Sequence, residues 1–216
     1  MPVSSFWARL GPAQWAALAV AALFLLALGI RLYNLTYHSL WYDEVVSTFW
    51  AARPASEILR VGLALTQDKH PPFYYLLLRG WTLLFGGGDF SVRSLGALIG
   101  ALAVLPTYGI GARLGGRKAG LFAAGLLALN PFLVWYSQEA RMFMPATTFV
   151  LAGMYGLLAL MERGRLAGAL LLLLGFVAAG YSYLYSAFLL PAAAVWLVLL
   201  WWLRRHEAAA RGRLFS

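Results

Sequence analysis

Cysteine is absent from the 216-residue chain. Neither a disulfide framework nor a thiolate metal site can be built, and redox chemistry says nothing about the compartment. Charge is scarce as well, at 12% of residues against 62% hydrophobic. A soluble domain of this size buries a core but cannot hide so much apolar surface, whereas a bilayer can. Acids are rarer than bases, 8 against 17, for a net charge of +9. Nucleic acid is nevertheless not the expected partner. The basic residues form short clusters between apolar runs rather than one stripe interleaved with aromatics. The first apolar run lacks an A-x-A-type cleavage site after it, so it reads as a retained span and not as a signal peptide.

What is present is a series of apolar runs. Spanning takes roughly 20 such residues. Six runs come near that length: Trp15–Ile30, Val92–Gly111, Ala119–Tyr136, Phe143–Met161, Leu166–Gly180 and Phe188–Leu203. The expected fold class is therefore an all-α integral membrane protein of about six transmembrane helices, with residues 1–216 as a single module. Pro71–Phe85 is apolar too, but Arg79 sits in its middle, and a charge at the bilayer centre costs at least ~2.5 kcal/mol. It reads as a helix lying in the interface. With that choice one face keeps ten of the 17 basic residues, beside only Glu162 and Glu207 as acids. The positive-inside rule makes that face cytoplasmic, together with the amino terminus. Localisation in the cytoplasmic membrane follows, with loop 31–90 and a second loop of about 136–143 outside.

Loop 31–90 carries signals for three short helices. Asp43 and Glu44 open the first, where acids suit the helix dipole, and Val45, Val46, Phe49 and Trp50 are expected to form its apolar face. Pro54 and Ser56 start the second, which runs through Ile58 and Leu63. His70-Pro71-Pro72 starts the third, because proline at a helix start loses no hydrogen bond.

Three polar patches fall on the external side: Trp41-Tyr42-Asp43-Glu44; Asp68-Lys69-His70-Pro71-Pro72 with Arg79 and Arg93; and Tyr136-Ser137-Gln138-Glu139-Ala140-Arg141. Each has a bland explanation. An Asp-Glu pair at a helix start is often only a cap. Glu139 and Arg141 could pair with each other, and Arg79 and Arg93 could hold anionic lipid without specificity. His70 alone is weak support for a metal. Together, though, the patches supply what transfer from a lipid-linked phosphosugar needs. A carboxylate takes the acceptor's proton, guanidinium groups hold the departing phosphate, and aromatics stack on sugar or isoprenoid.

At these residues the chain resembles the GT-C superfamily of polyprenyl-phosphate-dependent glycosyltransferases, and within it the protein O-mannosyltransferase and aminoarabinose transferase group. The similar stretches are Trp41-Tyr42-Asp43-Glu44, HPPFYYLLLRGWTLLFG from His70, FSVRSLGAL from Phe90 and NPFLVWYSQEARMF from Asn130, in that order. The resemblance implies an inverting glycosyltransferase in which Asp43 is the general base, with Glu44 beside it and Glu139 as a second acid. It also implies Arg93 and Arg141 as phosphate contacts, in a donor-binding set with Lys69, His70, Arg79 and Tyr136. No metal site is expected from these residues, although GT-C branches differ in their use of a divalent metal. Such enzymes typically run to twice this length. The chain is therefore expected to be such a glycosyltransferase or its amino-terminal module, the latter completed by a carboxy-terminal region or a partner subunit. Its substrates would be a polyprenyl-phosphate sugar donor and a protein, lipid or glycan acceptor. A non-catalytic membrane module that binds a polyprenyl phosphate or a partner subunit is the competing expectation. A transporter comes last, since the spans hold almost no ionisable groups at the midplane.

Overall fold

The computed structural model describes residues 11–65, 70–163 and 166–189, with positions 191, 192, 194, 195, 198, 199 and 202. Helix α1 covers Pro12–Leu32, with proline at its first position, where the missing N–H has no intrahelical partner to lose. Three short helices follow: α2 (Tyr42–Ala51), α3 (Ala55–Ala64) and α4 (Phe73–Phe85). They lie where the turn and proline signals put them. Helix α4 has 13 residues, so it is about 20 Å long and falls short of the ~30 Å hydrocarbon core.

The face that α2 buries is the expected one only in part: Trp50 is buried and Val46 packs half-buried against the core. Glu44, Ser47, Trp50 and Ala51 point inward, while Val45 and Phe49 are exposed. An inward carboxylate rotates the buried face because a guanidinium waits for it, as described below. Phe49 instead stacks edge-on against Trp50 and lies under the Arg53 guanidinium, 4.4 Å from its ring centroid.

Helices α5 (Asp89–Leu102) and α6 (Val104–Leu129) join through Ala103, which keeps helical dihedrals. The break there has a local cause: Pro106 has no N–H to offer the carbonyl of Leu102. Helix α6 then folds back on itself at Gly116, whose φ of 81° suits a residue without Cβ. Past that point Gly120 lies against the backbone of Tyr108 and Ala112. The two expected spans Val92–Gly111 and Ala119–Tyr136 are thus a helical hairpin with a turn of minimal length.

The second of these spans is interrupted. Asn130 leaves the helix, and its side chain accepts the Leu133 N–H at 3.0 Å, so α7 (Pro131–Ser137) starts afresh behind an asparagine cap and a proline. The apolar run hides this break because Phe132, Leu133 and Val134 continue its hydrophobicity. Helix α8 (Phe143–Arg163) and helix α9 (Leu166–Ser182) come next, followed by a 3-10 turn at Leu184–Phe188. The expected span Phe188–Leu203 lies largely outside the described residues.

Three stretches are long and apolar enough to cross a membrane: Pro12–Leu32, Asp89–Leu129 and Phe143–Glu162, with Leu166–Ser182 apolar but shorter. Among the described residues there is no strand. The all-α membrane fold follows from composition alone.

Two apolar cores hold the helices. One packs α1, α5, α6 and α8 through Val20, Ala27, Ala101, Val104, Ala124 and Met144. The other sets α2, α3 and α4 on the start of α5 through Trp50, Ile58, Tyr74, Leu78, Val92 and Leu95, and it includes Ala140 and Met142. Trp81 strengthens this joint, its indole N–H donating to the Ser91 carbonyl (2.9 Å) and the Ser94 hydroxyl (3.1 Å). The second core therefore draws α2 and the segment before α8 together.

Candidate functional site

Successive residues of an α-helix point about 100° apart. Asp43 and Glu44, neighbours in the first turn of α2, consequently face different surroundings. The Glu44 side chain is 1% exposed and the Asp43 side chain 65%.

Glu44 is fully engaged by the protein. Its Oε1 accepts N–H bonds from Arg93 Nε (2.8 Å) and the Ala140 backbone (2.8 Å). Its Oε2 accepts from Arg93 Nη2 (2.7 Å) and the Trp41 backbone (3.0 Å). Burial alone would raise the carboxyl's pKa, but the Arg93 guanidinium and the two backbone N–H bonds outweigh it and hold Glu44 below the ordinary range. Arg93 completes its bonding by donating to the carbonyls of Leu35 (2.6 Å), His38 (2.8 Å) and Ser39 (3.1 Å). A guanidinium carries five N–H groups, and each one here has a protein acceptor. No donor of Arg93 is left to receive a phosphate oxygen.

Asp43 keeps its carboxylate toward the surface. Arg141 Nη1 lies 3.5 Å from Asp43 Oδ2 and donates to the Asp43 carbonyl at 3.2 Å. The Arg141 side chain is only 10% exposed, and its Nε is buried with no hydrogen-bond partner. Its guanidinium stands 5.2 Å from the centroid of Phe143. Phe143 in turn lines a cavity of about 220 Å³ that continues down α8 past Ala146, Thr147, Val150 and Leu151. An arginine with an unfilled, buried donor thus stands beside Phe143, and Phe143 lines an apolar recess. Tyr136 meets Phe143 edge-on, with ring centroids 5.2 Å apart, and Tyr183, which lines the cavity, does so at the same distance.

Glu139 is half-buried, and its Oε1 accepts the Trp135 indole N–H at 2.8 Å. Burial pushes its pKa above the ordinary value, the charges of Glu44 and Asp43 add to that, and the Trp135 bond and Arg141 oppose it. Trp135 also meets Trp41 edge-on, with centroids 6.3 Å apart. Tyr74 is wholly buried, its hydroxyl lacks a partner, and burial raises its pKa.

The first and third expected patches therefore converge, and Arg93 from the second joins them as a support. Arg79 does something else: Nη1 reaches the carbonyls of Ala51 (3.4 Å) and Ala52 (3.5 Å), at the end of α2. His70 is partly buried just before Pro71. Lys69 and Asp68 lie outside the described residues. No three His, Asp or Glu side chains gather as a metal site among the described residues.

Two contributors escape a sequence reading. Trp135 looks like one more interfacial aromatic. Arg31, at the end of α1, is fully buried. Its signal was the pair Gly96 and Gly100, one helical turn apart, which marks a groove for close backbone approach.

Comparison with known proteins adds the following. The family model described as dolichyl-phosphate-mannose-protein mannosyltransferase matches residues 69–212. That stretch takes in Arg93, Glu139 and Arg141 and begins after Asp43 and Glu44. The dolichyl-monophosphooligosaccharide–protein glycotransferase AglB of Haloferax volcanii is 35% identical over 102 residues, covering 44% of this chain and 10% of that protein. The chain thus matches about a tenth of the length of this curated relative. No solved structure matches the chain.

Proposed function

Because this chain belongs to the dolichyl-phosphate-mannose-protein mannosyltransferase family, we propose that it transfers a sugar from a polyprenyl-phosphate donor to an acceptor at the external face of the membrane. The supporting observation is the Asp43–Arg141 pair. An accessible carboxylate lies 3.5 Å from a largely buried guanidinium that has an unfilled N–H and stands beside Phe143, which lines an apolar recess.

Each part has a task in one displacement. Asp43 takes the proton of the acceptor hydroxyl as its oxygen bonds to the anomeric carbon. The bond from that carbon to the phosphate oxygen breaks on the opposite side, so the configuration inverts, and the transition state has oxocarbenium character. The electron pair leaves with the polyprenyl phosphate. Arg141 receives that charge through its terminal Nη groups, where a planar fork suits phosphate oxygens. The isoprenoid chain runs down the α8 recess from Phe143. Glu139, held by Trp135, faces the sugar's hydroxyl groups, and Trp41 with Trp135 offers apolar ring faces beside it. Glu44 and Arg93 take no part in bond making. Their pairing fixes α2 against the Ala140 backbone, and so fixes Asp43 against Arg141.

The test is transfer from a radiolabelled polyprenyl-phosphate sugar by purified protein in detergent, with donor binding followed separately. Sugar transfer lost in Asp43→Asn, with donor binding retained, supports the assignment. Donor binding without turnover in the wild type replaces it with the non-catalytic reading.

A further inference from the structure

The segment Ser137–Arg141 carries Glu139 and Arg141, yet it belongs to no helix beyond its first residue. Something has to hold it. Arg31 is 0% exposed, and its acceptors are neutral. Nε donates to Ser137 Oγ (3.0 Å), Nη1 to the carbonyls of Ala27 (3.2 Å) and Ala128 (3.0 Å), and Nη2 to the Leu127 carbonyl (3.3 Å). Leu127 and Ala128 are among the last carbonyls of α6, which lack intrahelical donors. Arg31 also occupies the last turn of α1. The negative ends of two helix dipoles therefore converge on one cation.

The bonding is reciprocal. Gln138, next to Ser137, sends its Nε2 back to the carbonyls of Arg31 (3.2 Å) and Tyr33 (2.8 Å), at the end of α1. Helix α5 leaves room for the crossing. A Cβ on Gly100 would stand 2.3 Å from Ser137 Oγ and 3.2 Å from Arg31 Nε, and one on Gly96 would stand 2.9 Å from the Ser137 carbonyl and 3.0 Å from that of Glu139.

We propose that Arg31 is a positioning residue: acting through Ser137, it sets the backbone that carries Glu139 and Arg141 against Asp43. This rests on the transfer site proposed above, but one of its readouts does not. A misplacement of about 1 Å costs on the order of 10²-fold in rate, so Arg31→Lys and Ser137→Ala are expected to lower kcat by about that factor. KM for the donor is expected to rise as well, because Arg141, carried on the same segment, holds its phosphate. Ser137→Ala leaves the Arg31 bonds to Ala27, Leu127 and Ala128 in place, which keeps the bundle folded. Thr148→Val is the control, since it removes a partly buried hydrogen bond to the Ile99 carbonyl elsewhere in the bundle.

Hydrogen exchange is read alongside transfer. Faster exchange confined to residues 137–141 in both Arg31→Lys and Ser137→Ala, with α8 unchanged, supports the proposal. Wild-type exchange and kcat in both variants overturn it. So does an equal loss of rate in Thr148→Val, which would make the effect general destabilisation. A wild type that transfers no sugar would reject the transfer site, while the exchange pattern would still decide whether Arg31 holds the segment.

Discussion

Glu44 and Arg93 meet through two parallel N–H···O bonds of 2.8 and 2.7 Å, with at most 4% of either side chain exposed. Two adjacent acids thereby separate into a buried one held by protein donors and an exposed one. Removing one partner of a buried pair costs about 3–5 kcal/mol, because the other charge is left uncompensated. Glu44→Ala is expected to lower thermal stability by that order. Asp43→Asn, at an exposed position, should stay within about 0.5 kcal/mol of wild type. Thermal unfolding of both variants in detergent makes the comparison.

The kinetic order is expected to be the reverse. General base catalysis contributes on the order of 10²–10⁴-fold, and Asp43→Asn should lose about that much transfer at unchanged stability. An Asp43→Asn variant as active as wild type would remove Asp43 as the base.

Acid and alkali should act oppositely on Glu44 and Glu139. The folded pKa of Glu44 is lowered, so its contribution to stability is present above the ordinary Glu value and is lost as pH falls through the folded value. The folded pKa of Glu139 is raised, so its contribution is present at acid pH and is lost as pH rises through the folded value. Glu44→Gln should therefore be most destabilised near neutral pH and approach wild type on acidification. Glu139→Gln cannot ionise and keeps an oxygen for Trp135, so it should gain on wild type as pH climbs. Melting curves across pH 3 to 8, a range of about five units around the ordinary carboxyl values, separate the two signs.

Arg141 should affect the donor first. A hydrogen bond to a charged group contributes about 1.5–3 kcal/mol, so Arg141→Met is expected to weaken polyprenyl phosphate binding by about that amount. Lysine should recover only part of it, because a point charge does not reproduce a planar fork. Equal affinity in Arg141→Met, measured by titration of the lipid phosphate, would place the phosphate elsewhere.

Much of this arrangement is legible from the chain. Apolar runs and basic clusters announce the membrane, and Pro54, Pro71 and Pro72 punctuate the short helices close to where they begin. What escapes is anything decided by partners distant in sequence. Nothing local to α2 says that Glu44 turns inward and Asp43 outward; that depends on Arg93, 49 residues away. Arg79 looked equivalent to Arg93, yet it lies against the end of α2, since a cation answers exposed carbonyls as readily as a carboxylate. The Asn130 break was invisible to hydropathy because capping is stereochemical and leaves the apolar average intact.

The hairpin at Gly116 ties the far end of the bundle to the site. A link of one residue lets two helices slide past each other by no more than about 3.8 Å. The stretch from Gly116 to Leu129 is thus a rigid strut of roughly 20 Å, hung from the descending helix at one end and supporting Asn130 and α7 at the other. Its length sets the height at which Ser137 arrives beside Arg31. Glycines inserted at that distant bend would slacken the strut and let the acids drift without altering a residue near them.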